Sequence, residues 1–274
     1  MSRIELARGS FADCFRSGRL WLIQFFVNPI LLALFAAWLL LPVASSIHLI
    51  FNFLLALVLL VAVLTLHAGT LNCLYDRQAN NSAPILPAFR RALRNLLPIA
   101  ICVALFCVLW LLVNKLESYQ PNVPSYIRST LPVFLRRHVS LHALDNLFSA
   151  AIFIARWILA PGLVLPFLLQ VANSGFRGFG KEGFIAWRKT IFNLIYWLVL
   201  LFAALVGVLA TERIMALTPD FKTSTFLSEE ISLAVRLFVS YFLGLFSWIL
   251  TCSLLARCAA TAGNFEGVTR KSAT

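Results

Sequence analysis

One arginine stands inside an otherwise apolar stretch. Arg156 lies in the run from Leu147 to Gln170, which contains no other charged residue. At ~1.5 Å per helical residue this run can cross a hydrocarbon core of ~30 Å, and Arg156 falls near its middle. A guanidinium at that depth costs ~3 kcal/mol and normally faces the interior of a bundle. Its fork of donors suits an anionic solute or lipid headgroup, so Arg156 is a candidate anchor for either.

Two other accounts of Arg156 stay open. The side chain could reach the outer membrane interface and serve only the structure. It could also pair with Glu117 or Asp145 at the ends of loops. The carbonyls of Trp157 and Gly162 are further acceptors, because the prolines four residues later supply no amide hydrogen to them.

A second candidate site is a stripe of small and polar residues along the last apolar run. The spacings of 4, 4, 3 and 4 place its members on one helical face. Such a stripe could line a hydrophilic pathway, or it could allow close packing of helices. Ala203, Gly207 and Thr211 form a similar small face on the preceding run. The members of the stripe are Arg236, Ser240, Gly244, Ser247 and Thr251.

A metal site is not expected. His138, His142 and Asp145 would share one helical face in the outer loop, but Arg136 and Arg137 beside them oppose a cation. No other feature of the loop indicates a metal.

Enzyme signatures are missing. The sequence has no HExxH, GxSxG, GxxxxGK or GxGxxG motif. The glycine-rich segment from Ser174 to Gly183 could cradle a phosphate, but a turn between membrane helices explains it more simply. We therefore predict no catalytic activity and no cofactor.

The composition indicates an integral membrane protein. Of the 274 residues, 61% are hydrophobic and 12% charged, against about 25% charged in ordinary soluble domains. The mean hydropathy is +0.87 and the pI about 10.1. The basic residues form no long run and no aromatic-interleaved motif, so nucleic acid is not an expected partner. The six cysteines contain no CxxC pair and are expected to be free thiols.

Six apolar runs must position the candidate residues. They predict an all-α polytopic bundle of six transmembrane helices in a single domain, residues 1–274, with short amphipathic helices at the membrane surface. The predicted spans are Leu20–Ala44, Leu49–Asn72, Leu96–Asn114, Leu147–Gln170, Ile191–Thr211 and Ser232–Arg257.

The basic residues predict the orientation. Fifteen Lys and Arg residues lie in the two terminal segments and the two loops on their side, and six lie on the opposite side. By the positive-inside rule both termini should be cytoplasmic. We expect the protein in the plasma (inner) membrane, in contact with membrane lipids.

A pattern recurs before each odd-numbered span. A bulky residue is followed by arginine at Phe15-Arg16, Leu93-Arg94 and Trp187-Arg188. This predicts three hairpin units, 1–75, 76–175 and 176–274, each with a surface helix and two spans. The positive-inside rule alone could also place arginines there.

This layout resembles the membrane domain of some bacterial glycerophosphodiester phosphodiesterases and related bacterial integral membrane proteins without assigned function. The resemblance rests on the bulky residue-arginine pairs and on the turn from Gly175 to Gly183. It implies a membrane module and no reaction, because no catalytic domain is attached. Two functions stay open: a transport-like or lipid- and anion-binding bundle, and a non-catalytic structural subunit that binds a membrane protein partner.

Overall fold

The protein is a bundle of helices long enough to cross a membrane. The computed structural model describes residues 3–42, 45–80, 85–217 and 226–271, and these ranges contain no β-strand. Within them, six helices have the length and hydropathy of membrane spans. Backbone groups in hydrocarbon must bond within their own segment, so long apolar runs fold as helices. The predicted all-α polytopic architecture is confirmed.

Thirteen α-helices, together with two π-helical turns and one 3-10 turn, make up the described chain. The π-helical turns are Ala155–Leu159 and Leu205–Ala210, and the 3-10 turn is Gly175–Phe179. The α-helices are α1 (Arg3–Arg16), α2 (Gly18–Leu39), α3 (Ser46–Asn80), α4 (Ile85–Arg94), α5 (Leu96–Glu117), α6 (Val123–Thr130), α7 (Val133–Arg136), α8 (Leu141–Ile154), α9 (Ala160–Ser174), α10 (Lys181–Ile191), α11 (Leu194–Ala204), α12 (Thr211–Ala216) and α13 (Phe226–Lys271).

Three short helices precede the odd-numbered spans, as the sequence predicts. They lie on one side of the bundle, here called the terminal face. Each packs on the end of an even-numbered span: α1 on α13, α4 on α3 and α10 on α9. Pairs of small residues make the contacts close, since Ser10 and Cys14 of α1, like Ala88 and Ala92 of α4, are fully buried. An origin of the three units in one internal repeat stays a prediction.

Polar side chains tie α4 to two spans on the terminal face. The guanidinium of Arg91 donates to both carboxylate oxygens of Asp76, over 3.0 and 3.2 Å. It also donates to the amide oxygen of Asn173, over 2.9 Å. Asn72 donates to the carbonyl of Ala172 over 3.1 Å. The ends of α3, α4 and α9 are therefore one hydrogen-bonded unit.

The buried core lies mainly toward the terminal face. Among the largest fully buried side chains are Leu71, Ile99, Leu169, Tyr196 and Leu254. The other half of the first hairpin, the end of α2 and the start of α3, exposes almost all of its large apolar side chains. In a bilayer these side chains face lipid.

Several helices extend beyond the apolar runs that predict them. The second span continues to Gln78, so Asp76 belongs to a helix and not to a loop. The third ends at Glu117, and the fourth begins at Leu141. Residues 133–144 are divided between α7 and the start of α8. Helices end where their backbone finds caps, which need not coincide with the last apolar residue.

Candidate ligand cavity in the helical bundle

Arg156 is held by protein groups. Its guanidinium forms an ion pair with Glu117 and donates to the amide oxygen of Asn114 over 2.8 Å. Its central carbon also lies 5.3 Å from the ring centroid of Trp110. The expectation that Arg156 is an unneutralised charge at mid-membrane is thus corrected, because its acid comes from the last turn of α5. Of the alternatives considered, the pairing with Glu117 is the one observed.

The pair should act as a modest structural clamp. Glu117 is 44% exposed and the Arg156 side chain 17% exposed, so water weakens their attraction. We expect a double-mutant cycle with Arg156→Leu and Glu117→Gln to give a coupling of about 1 kcal/mol in the free energy of unfolding. SDS titration in mixed micelles measures it. Two results would contradict this role. One is a double variant whose loss of unfolding free energy equals the sum of the losses in the two single variants. The other is a loss of anionic-lipid binding in the single variant Arg156→Leu.

Arg236 caps the C-terminal end of α12. Its guanidinium donates to the carbonyl of Met215 over 3.1 Å and to that of Leu217. Met215 lies in the last turn of α12 and Leu217 directly follows it, where helical carbonyls have no donor within their own helix. A cation at a helix C-terminus is also favoured by the helix dipole. The contacts account for Arg236 as a cap.

The predicted small stripe packs against the fifth span. A Cβ at Gly207 would lie 2.6 Å from the hydroxyl oxygen of Ser247 and 3.9 Å from the Cα of Gly244. Thr211 approaches the carbonyl of Ser240, with 3.5 Å between the oxygens. Ala203 and Gly207, together with the stripe, therefore let the two backbones approach closely, as small residues do in membranes.

The other candidate ligands of the sequence are separate. His138 contacts the carbonyl of Phe134, His142 the side chain of Asn146, and Asp145 that of Gln120. The described residues contain no group of three metal-ligating side chains. The glycine turn is filled by backbone, since a Cβ at Gly178 would lie 2.7 Å from the nitrogen of Val171.

A cavity of about 480 Å³ lies between spans two to six. Leucine, valine, alanine and aromatic side chains make up most of its wall. Its depth follows from helix geometry: His67, Gly207 and Trp248 are each roughly 17 to 20 Å from the terminal-face end of their span. A hydrocarbon core of ~30 Å places this level near the bilayer centre.

Three residues that line the cavity each have an unsatisfied polar atom. Nδ1 of His67, Oγ of Ser247 and Nε1 of Trp248 are buried and have no hydrogen-bond partner among the described residues. Buried polar atoms are normally paired, and leaving one unpaired costs about 1 to 3 kcal/mol. The atoms themselves face packed neighbours and not the open space, because they have almost no accessible surface.

Both π-helical turns border this cavity. Trp157 comes from the first turn, and Gly207 and Val208 come from the second. π-Helical turns within α-helices are rare and frequently occur at functional sites. Here they form part of the cavity wall on the fourth and fifth spans.

Two further spaces lie beside the cavity. A second space of about 530 Å³ shares His67 and Trp248 with it. A groove of about 560 Å³ between the first two spans shares Asn28 and Tyr241 with the second space. Neighbouring spaces thus share lining residues from the first hairpin to the sixth span.

The sequence predicts that Ser240, Gly244, Ser247 and Thr251 share one helical face. It also predicts that the binding site is positively charged, because of Arg156 and Arg236. Neither arginine is among the residues that line the cavity. Neither His67 nor Trp248 was among the residues predicted to bind a ligand. A polar residue in the middle of the second span was the available signal.

Comparison of the chain with protein-family models, curated proteins and solved structures finds no match. The resemblance to the phosphodiesterase membrane domain therefore stays a prediction.

Proposed function

We propose that this integral membrane protein binds a lipid-like molecule in its central cavity, as a lipid-binding or transport-like protein. The observation that carries the proposal is an apolar cavity of about 480 Å³ between spans two to six, bordered by both π-helical turns. Ligand sites are typically concave and apolar, with a few polar groups that fix orientation. The groove along the first hairpin gives a lipid a path into the bundle from the side.

This proposal replaces an arginine-anchored site with an uncharged one. Arg156 is neutralised by Glu117, and Arg236 caps α12. Ser247 and Thr251 of the stripe line this apolar cavity, which the proposal treats as a lipid site and not as the hydrophilic pathway expected from the sequence. Ser240 lines the second space.

Gly244→Leu tests the proposal, because it fills the cavity without disturbing the backbone. A Cβ at Gly244 meets nothing within 4 Å, and the residue borders both the cavity and the second space. Leucine also forms helices better than glycine by roughly 1 kcal/mol. We expect the variant to fold while lipid retained by the purified protein in native mass spectrometry falls about tenfold or more, a change of ~1.4 kcal/mol or above.

Ala104→Leu is the matched control, because Ala104 is exposed on the lipid-facing side of α5. It should retain lipid as the wild type does. Equal retention by Gly244→Leu would refute the proposal and favour the second candidate, a structural subunit that binds a membrane protein partner. Such a partner would replace lipid on the far half of the first hairpin, where Ile30, Leu32 and Phe53 are all more than half exposed.

A further inference from the structure

The terminal face has a large excess of exposed positive charge. Among the described residues of this face, nine arginines and lysines are exposed, against two exposed acids, Glu5 and Glu182. On the opposite face the described residues include four exposed cations and three exposed acids. The excess is therefore a property of one side of the bundle. The nine cations are Arg8, Arg16, Arg19, Arg90, Arg94, Arg177, Lys181, Arg188 and Lys189.

The buried acids of the terminal face do not remove this excess. Asp13 pairs with Arg257, and Asp76 pairs with Arg91. Both carboxylates are less than a tenth exposed, and both arginine side chains are less than a third exposed. Their charges are balanced within the packing of the helices, so the exposed cations keep their net charge.

Three of the exposed arginines occupy equivalent positions in the chain. Arg16, Arg94 and Arg188 each lie in the last turn of a surface helix. They precede the first residue of an odd-numbered span by two, two and six residues, and we call these three junctions the elbows. Among the described residues, none of the three guanidinium groups has an ion pair or a side-chain hydrogen bond. Because a span begins at each elbow, the arginines lie at the edge of the hydrocarbon core.

Large apolar side chains are exposed at the same three elbows. Leu22 at the first elbow is 59% exposed, Leu97 at the second 65% and Phe192 at the third 83%. A soluble anion would contact only the guanidinium. A phospholipid offers its phosphate to the arginine, which can donate two parallel hydrogen bonds to it, and its acyl chains to the apolar side chain. The pairing of the two kinds of side chain therefore favours a lipid.

We propose that the elbows bind the headgroups of anionic phospholipids, with Arg16, Arg94 and Arg188 as the contacts to phosphate. The positive-inside rule explains the sign of the terminal face. The position of these arginines, at the start of a span and beside exposed apolar side chains, is what identifies the lipid. The proposal does not depend on the cavity, because the elbow side chains are exposed on the outside of the bundle.

Native mass spectrometry of the lipid-stripped full-length protein tests the proposal. The probes are the anionic dioleoylphosphatidylglycerol and the zwitterionic dioleoylphosphatidylcholine, which have the same acyl chains. We expect the wild type to prefer the anionic probe. The triple variant Arg16→Gln, Arg94→Gln, Arg188→Gln should bind the anionic probe about fivefold more weakly, since each lipid contacts one elbow and loses one basic residue. Its affinity for the zwitterionic probe should change little.

The matched control removes three exposed cations from the opposite face: Lys115→Gln, Arg137→Gln and Arg213→Gln. It changes the net charge of the protein equally, and it should keep the preference for the anionic probe. In a second arm, inorganic phosphate at millimolar concentration should leave the anionic probe bound to the wild type.

Three results would overturn the proposal. One is an elbow triple variant that keeps the preference of the wild type. Another is a control variant that loses the preference equally, which would mean that net charge alone attracts the lipid. The third is displacement of the anionic probe by inorganic phosphate, which would mean that the elbows recognise a soluble anion.

Gly244→Leu separates this proposal from the proposed function. It should reduce lipid retention in the cavity and leave the preference for the anionic probe at the elbows unchanged. Full lipid retention in Gly244→Leu would refute the cavity site alone. Loss of the anionic preference in Gly244→Leu would place the anionic lipid in the cavity and refute binding at the elbows.

Discussion

Gly183→Ala is expected to prevent the protein from reaching its native packing. A Cβ at Gly183 would lie 1.8 Å from the carbonyl oxygen of Gly178, which is backbone and cannot rotate away. Gly178 in turn has no room to retreat, because its own Cβ position is 2.7 Å from the carbonyl carbon of Gln170. Three backbone segments, α9, the 3-10 turn and α10, are thus in contact at two glycines. Overpacking of a core costs about 1 to 3 kcal/mol and occasionally more, and a clash between backbones belongs to the upper end.

The expected readout is the yield of monodisperse protein extracted from membranes, with the SDS midpoint of what remains. Gly183→Ala should lower both sharply. Gly18→Ala is the matched control, since a Cβ at Gly18 meets nothing within 4 Å, and it should lie within about 1 kcal/mol of the wild type. A Gly183→Ala protein with normal yield and midpoint would mean that α10 does not pack on α9 as described.

The positions of the spans were predictable because hydrocarbon imposes one requirement along the whole run. Each apolar run in the sequence corresponds to a span, and the glycine-rich segment to a turn, since every backbone group in lipid must bond locally. The short surface helices were predictable from their arginines and apolar residues. The span on which each surface helix packs was not predictable, because this packing depends on contacts between distant parts of the chain. Two of the helices pack on the span that precedes them, and α1 packs on the last span.

The partner of Arg156 shows where the sequence argument fails. Glu117 lies three residues beyond the predicted end of the third span at Asn114, so it was counted with the loop. The helix continues through it and brings the carboxylate to the guanidinium of a neighbouring span. Helix ends are the least certain part of a prediction from sequence. An error of one turn therefore reversed the interpretation of the charge.

Carbonyl groups that lack a helical donor because of a proline are another case in which the sequence identifies the group but not its partner. Gly162, expected to offer its carbonyl to Arg156, accepts instead from the hydroxyl of Tyr196 over 2.9 Å. In the first span, Pro29 leaves the carbonyl of Phe25 without its helical donor. Tyr241 supplies one over 3.1 Å. Each tyrosine comes from another span, so the pairing could be expected in kind but not assigned to a residue.

The cavity was not predictable because it is defined by where side chains of five spans fail to meet. No local pattern marks the unsatisfied atoms of His67 and Trp248. Only the described structure shows that nearby residues leave them without partners. Functional sites are often where local rules and the global fold disagree, which is why the cavity is the site proposed for this protein.

Asp13→Ala is expected to release α1 from the terminal face. The Asp13 carboxylate is 8% exposed and accepts from Nε of Arg257 and from the side-chain amide of Gln78. It thereby links α1 to the sixth and second spans. Removing one partner of a buried ion pair costs about 3 kcal/mol or more. Because each 1.4 kcal/mol is tenfold, the population with α1 detached should rise about 100-fold.

The thiol of Cys14 reports this opening. Cys14 is fully buried, and burial raises its pKa to about 12, with a smaller opposing effect from the hydrogen bond of Trp21. Thiolate is the reactive form, so alkylation at pH 7.5 requires α1 to open. In a protein whose other five cysteines are replaced by alanine, Asp13→Ala should speed N-ethylmaleimide labelling about 100-fold. Arg8→Ala changes an exposed charge on the same helix and should leave the rate unchanged. Equal rates in the two variants would show that the ion pair does not hold α1 in place.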